Sequence, residues 1–494
     1  MNPAINKLGI ILALTVLPGC MTLGLDYFRP SIPLPETFGD VALSSIKEIP
    51  TQWWTLYQDP TLNMLVEKAY KSNTDIKTAV ARVEEADAQM REVGSYLFPI
   101  VDLGGNGQRN RVTEAGAFPA FGQNPRDSFD LSLRSSIELD FWGKLSRAKE
   151  SARANYLSTV YAKETVELTI ESLVVSSYLQ IRSIDSQIKH TAKNLTVAED
   201  ALALAKRREK GGIISMLDVH QSALVRDDLL IQTQEFKRQR RLAEHVLIIL
   251  TLEELTVAED DLMHLPLPPM PPVGLPSALL ERRPDIMQAE QDLIAANANI
   301  GSAKAALYPS ISLTGNYGGE SLELGDLLKK ASRVWSLGLS LDLPIFNAGR
   351  LDAKVDQATA KQKQALQAYI SAVAKAFREV NDALVNLRQY KAIETVAASK
   401  KATTQSMLDI TQNRYKAGYS AYLDVLDAKR SHIQASQAFV QNRQNTLNAS
   451  VDLFKALGGG WQPKKAVKDA ESALNKPLKM SDTLLSLEDE KSID

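Results

Sequence analysis

One cysteine in 494 residues, five histidines and an aromatic content of 6% remove several classes of protein at once. His190, His220, His245, His264 and His432 are scattered without the spacing of zinc ligands, and a lone thiol adds no partner to them, so no metal site is expected. A net charge of −2 offers neither the basic surface that binds a nucleic acid nor a polybasic membrane patch. Past the N-terminus no run approaches the ~20 uninterrupted apolar residues of a spanning helix; the best, "VLIILTL" from Val246, falls far short. Any later membrane contact therefore has to come from strands. "GGNGQ" near Gly104 begins a strand and leads into no helix, which excludes a dinucleotide or phosphate loop. No enzyme activity and no catalytic residue are expected.

What is present is more specific. Lys7 precedes an apolar run that ends at Cys20, the layout of a secretory signal. Leu17-Pro18-Gly19-Cys20 resembles the bacterial lipobox, which implies cleavage before Cys20, a diacylglycerol on its thiol and an N-acyl chain. More than one acyl chain anchors a protein stably. Met21 in place of an aspartate favours sorting to the outer membrane.

The chain is also written twice. "NTDIKTAVARVEEADAQMREVGSYLFPIVDLGGN" from Asn73 aligns without gaps on "RPDIMQAEQDLIAANANIGSAKAALYPSISLTGN" from Arg283, an offset of about 210 residues. Gly143/Gly349, Arg208/Arg414, Gly212/Gly418 and Asp218/Asp424 continue the correspondence at a slightly shorter offset. Each unit reads as a helix, two strands, a long helix, a turn and a second long helix.

The strands are unusually clean. In "SFDLSLRSSIELDFW", Phe129, Leu131, Leu133, Ile137, Leu139 and Phe141 alternate with Ser128, Asp130, Ser132, Arg134, Ser136, Glu138 and Asp140. "WSLGLSLDLPIF" repeats the pattern from Trp335 to Ile345. Strict alternation over about ten residues marks a strand with one apolar and one wet face, and soluble strands average only about five to six. Four such strands per chain cannot close a membrane barrel, and an open edge in lipid leaves backbone groups unsatisfied at several kcal/mol each. Other subunits are expected to complete the wall.

From Lys144 to Lys210, up to Gly211, the chain has neither proline nor glycine, enough for a helix of roughly 100 Å at about 1.5 Å per residue. Inside it Val174, Ser177, Ile181, Ile184, Ile188, Thr191, Leu195, Ala198, Leu202 and Ala205 form a heptad seam for neighbouring helices. Val373, Phe377, Val380, Leu384 and Leu387 repeat a shorter seam.

The expected layout is a signal peptide at 1–19 and a lipidated tether at 20–50, followed by a first repeat at 51–256. That repeat holds strands at about 98–112 and 128–142 and a helical hairpin at 144–256. A Pro-rich connector at 257–276 leads to a second repeat at 277–457, with strands at about 309–320 and 333–346 and a hairpin at 347–457. A polar tail covers 458–494.

"QWWTLYQDPTLNMLVEKA", "LPSALLERRPDIMQAEQDLIAANANIGSAKAALYPSISLTG", "LDLPIFNAGR" and "NRYKAGYSAYLDVLDAKRS" closely resemble the outer-membrane efflux lipoproteins, the TolC-like exit ducts of tripartite RND drug pumps. The resemblance implies an α+β membrane protein: a homotrimeric outer-membrane β-barrel with four strands per chain, continuous with a long periplasmic α-helical coiled-coil barrel, built on an internal tandem repeat. It implies outer-membrane lipid, a periplasmic adaptor and an inner-membrane RND transporter as partners, and no cofactor beyond the lipid on Cys20. The turns at Gly212 and Gly418 would lie at the periplasmic tip. There Leu423 would form an apolar constriction and Asp424 and Asp427, three residues apart on one helical face, stacked acidic rings. Tyr415 would lock the gate by bonding to Asp218 of an adjacent coil. Ser420 stands where the family often has an arginine, and Arg414 is the candidate substitute. Cargo is expected to be small toxic molecules; a duct for metal ions or secreted protein, or a pore-less periplasmic scaffold, is the alternative.

Overall fold

The computed structural model describes residues 22–33, 49–115, 124–271 and 279–461. The expected lipidation at Cys20, part of the tether, the end of the Pro-rich connector and the tail past Trp461 lie outside the described residues. The chain divides into two compact units, one of Met1–Ile32, Arg82–Thr159 and Gln288–Ile370, the other of Pro33–Ala81, Val160–Met287 and Ser371–Asp494.

Element order is α1 (Pro60–Ser72), α2 (Thr74–Ser95), β1 (Ile100–Asn110), β2 (Arg126–Leu139), α3 (Lys144–Lys210), α4 (Met216–Thr251), then α5 (Pro284–Ala305), β3 (Ser310–Ser321), β4 (Arg333–Asp342), α6 (Arg350–Lys416) and α7 (Tyr422–Ala456). Corresponding helices match in length: α2 and α5 have 22 residues each, and α3 and α6 have 67 each.

The first unit carries a four-stranded antiparallel sheet in the order β1-β2-β3-β4. Registers align Leu103, Leu133, Tyr317 and Trp335 in one row, and Asp102, Arg134, Asn316 and Ser336 in the next. Because side chains alternate across a strand, one face is apolar and the other polar, as the sequence pattern requires. At the close approach of β2 and β3, a Cβ on Gly318 would sit 2.2 Å from the Leu131 carbonyl oxygen, so only glycine fits. β4 is shorter than the expected 333–346: it ends at Asp342, two residues before Pro344, whose missing N–H cannot continue a ladder. β2 likewise stops at Leu139, where the Phe141 N–H turns back to the Leu139 carbonyl at 3.0 Å. In the pairing order β1 and β4 are the edges.

Residues 22–29 are held against this unit. The Leu23 N–H donates to the Trp142 carbonyl at 3.0 Å, and buried Arg147 donates to the Leu23 carbonyl at 3.2 Å and to Asp26 at 2.8 Å. Arg29 forks onto Glu290 with two 2.6 Å bonds, and Tyr27 donates to the same carboxylate.

The second unit is built on aromatic packing. Trp53 and Tyr57 are fully buried, and Trp53 stacks on Phe454 of α7 at 5.3 Å between ring centroids. The seam expected on α3 is largely inside: Val174, Ile181, Ile184, Thr191, Ala198, Leu202 and Ala205 are all buried. α4 ends at Thr251, short of the expected 256, on a left-handed Leu252. The tail begins later than residue 458, since Gly458–Trp461 is packed: Trp461 meets Tyr161 edge-on at 5.7 Å, and a Cβ on Gly459 would strike Leu168 at 2.3 Å.

Among these aromatics lies a buried acid. Glu171 accepts from Trp53 Nε1 at 2.9 Å and from the Tyr70 hydroxyl. Burial, reinforced by Glu167 and Glu164 against the two hydrogen bonds, pushes it up to about 7. A carboxyl whose folded pKa exceeds its unfolded value stabilises the fold below about pH 4.5 and loses that contribution as pH rises through about 7, a span on the order of 3 kcal/mol. Glu171→Gln is expected to remove this component; the difference between wild-type and variant urea midpoints from about pH 4.5 to about pH 8 measures it.

Candidate functional site

Both hairpin turns of the second unit use the same local device. At the end of α3 the Gly212 N–H donates to the Glu209 carbonyl at 2.8 Å and the Ile213 N–H to the Arg208 carbonyl at 2.9 Å. At the end of α6 the Gly418 N–H donates to the Tyr415 carbonyl at 3.0 Å and the Tyr419 N–H to the Arg414 carbonyl at 2.8 Å. These paired bonds form a Schellman motif closed by glycine in the left-handed region, with φ of +70° and +81°. Nothing lies within 4 Å of a Cβ at either glycine, so an alanine is strained by backbone alone. Gly212→Ala and Gly418→Ala are each expected to cost about 1–2 kcal/mol, read as a lower urea midpoint of helical circular dichroism.

Each following helix opens with an aspartate at its third position. Asp218 completes a capping box on α4: the Ser215 N–H donates to it at 3.1 Å while its own N–H donates to Ser215 Oγ at 3.4 Å. Asp424 does half of this on α7, accepting from the Ala421 N–H at 3.1 Å, because an alanine has no hydroxyl to return the bond. Asp427 is exposed and only loosely opposed by Arg430 at 3.8 Å, and Leu423 is half exposed.

The two turns are clasped by residues that the sequence reading placed differently. Within the chain Tyr415 is bonded by Arg208, whose Nη1 donates to its hydroxyl at 2.8 Å and whose Cζ lies 5.2 Å from its ring centroid. Asp218 stays in its own cap. Tyr415 packs at 5.2 Å against Tyr422, which accepts from Ser222 at 3.0 Å; burial holds the Tyr422 hydroxyl above the usual phenol range. Arg414 is exposed. Arg208, its counterpart in the first repeat, is thus the arginine at the clasp; the signal for it was that register alone. Sequence reading also missed Lys429, buried on α7 and pushed down to about 8 by burial, with Asp200 opposing the shift. No cluster of potential metal ligands occurs among the described residues.

A sheet with one apolar and one polar face suits a protein that meets a membrane through strands, and the likeness to solved outer-membrane channels gives the class. The chain belongs to the outer membrane efflux protein family, whose model matches residues 65–250 and 275–459. It is 30% identical to the probable efflux pump outer membrane protein TtgC of Pseudomonas putida over 96% of this chain and 99% of that protein. It is 32% identical to the cation efflux system protein CusC of Escherichia coli O6:H1 over 90% and 99%. Its structure superposes on the Campylobacter jejuni CmeC outer membrane channel with a TM-score of 0.85 at 26% identity, covering 91% of this chain and 98% of that one. The protein is accordingly an outer-membrane efflux protein, in a family whose solved members include outer-membrane channels.

Proposed function

We propose that three copies of this chain form a passive exit duct, lipid-anchored through Cys20, that receives small toxic molecules from an inner-membrane RND pump through a periplasmic adaptor. The observation that carries the reading is the sheet. Its apolar and polar faces suit a wall between lipid and water, and its edges β1 and β4 require strands from outside the chain, because unpaired backbone groups in hydrocarbon cost several kcal/mol each. Three chains supply about twelve strands, an ordinary size for a closed barrel. The tandem origin is supported by the paired family matches and by near-equal φ at Gly143 and Gly349, +75° and +76°.

At the periplasmic tip, Leu423, Asp424 and Asp427 form the gate, and Arg208, Tyr415 and Tyr422 hold its two turns together within each chain. Acidic rings favour cations and repel anions. Cargo selection rests with the pump: comparable identity to an efflux pump protein and to a cation efflux system protein leaves the duct wall no reason to discriminate strongly. Crosslinking in native membranes is expected to give trimers, and planar bilayers containing the purified protein are expected to conduct. A strictly monomeric, non-conducting protein would overturn the reading.

A further inference from the structure

We propose that the β3–β4 turn, Leu322 to Ser332, is a membrane-surface anchor whose leucines enter the outer leaflet while Lys330 and Arg333 meet lipid phosphates. The inference rests on the sheet being the duct's membrane wall. It concerns a segment to which the efflux reading assigns nothing.

The turn is a fixed shape. Two short 3₁₀ turns, Leu324–Asp326 and Lys330–Ser332, are closed by the Lys329 N–H to the Asp326 carbonyl at 3.0 Å and by Ser332 Oγ to the same carbonyl at 2.8 Å. The Leu327 carbonyl lies so close to Gly319 that a Cβ there would be 2.2 Å away. This backbone nevertheless presents Leu322, Leu324 and Leu328 at 65%, 66% and 84% exposure. Single exposed leucines need no explanation. Three in one braced turn do, because the bracing prevents them from collapsing onto the sheet.

The turn continues an apolar surface. Immediately below it, Tyr317 stands opposite Trp335, both largely exposed, and Leu313 opposite Leu339 follows. Tyrosine and tryptophan concentrate where a barrel's apolar band meets the headgroups. The aromatic pair therefore marks the boundary, and the leucine turn lies at headgroup depth. Charge fits the same place. Lys329 pairs with Asp326 and lies in the field of Glu323, whereas Lys330 and Arg333 have no acidic partner among the described residues. Long cationic side chains extend from apolar surface to an anionic lipid interface.

The test places a nitroxide on Leu328→Cys, on Leu324→Cys as a second turn position, and on Leu339→Cys in the sheet, each in the full-length protein reconstituted in vesicles. The parent labelled in parallel supplies any Cys20 background. Relaxation by oxygen and by a water-soluble nickel chelate reports immersion. The expected result is oxygen preference at all three sites in phosphatidylcholine vesicles containing phosphatidylglycerol, with nickel access at 324 and 328 rising severalfold when Lys330→Glu and Arg333→Glu are added. Turn labels in water with the 339 label in lipid overturn the anchor and leave the wall standing, as expected if the turn instead serves a protein partner. All labels in water overturn the wall and the anchor with it. Immersion that is indifferent both to phosphatidylglycerol and to the charge reversals overturns the phosphate assignment.

Discussion

Replacing Asp424 and Asp427 together by asparagine is expected to weaken divalent-cation block of the reconstituted duct by about tenfold, equivalent to about 1.4 kcal/mol of lost ion affinity. In the proposed trimer about six carboxylates would face one narrow passage, where like charges held close attract cations strongly. Asp424 also has a local duty, since it accepts the Ala421 N–H at 3.1 Å. Its loss costs α7 about 0.3–1 kcal/mol through the helix dipole whatever the pore does. Asp218→Asn separates the two effects, because Asp218 occupies the same third position of α4 and accepts from Ser215. The control should lower helix stability by a similar amount and leave block unchanged. Equal changes in block from both substitutions would reduce Asp424 to a helix cap and Asp427 to an exposed helix charge.

Trp53→Ala is expected to destabilise the second unit by about 3–5 kcal/mol, the range for deleting a large buried aromatic side chain. Trp53 is fully buried and stacks on Phe454 of α7, and its indole N–H is one of two donors that satisfy Glu171. The substitution therefore opens a cavity and also strips a buried carboxylate of a partner. Trp53→Phe keeps most of the ring but not the donor. Urea midpoints should order wild type, Trp53→Phe, Trp53→Ala; indistinguishable midpoints would show that the aromatic stack contributes little.

Period-two alternation made the sheet legible, because a strand that separates two environments must write them on alternate residues. Even so, β4 ended before Ile345 and Phe346: alternation reports faces and not hydrogen bonds, and Pro344 interrupts the ladder without interrupting the pattern. The long helices were legible from an absence of breakers, and their ends from Gly212 and Gly418, whose left-handed backbone the sequence announces. The clasp was not. Arg208 and Tyr415 lie 207 positions apart, and no local pattern tells an arginine in a last helical turn, favourable there for the dipole alone, from one reaching across to a phenol. Lys429 was hidden for a related reason: burial of a single lysine depends on how α7 packs, and its near neighbours in sequence, Asp427 and Arg430, are both exposed.

The fastening of residues 22–29 bears on mechanics. Arg147 and Glu290 bind the segment through charged hydrogen bonds at several points, on α3 and on α5, so pull that reaches residue 22 enters the folded body at those helices. If Cys20 is acylated as proposed, the lipid sits two residues before the fastened segment, and bilayer movement that reaches residue 22 passes through Arg147 and Glu290 to the base of the sheet, as through a rivet.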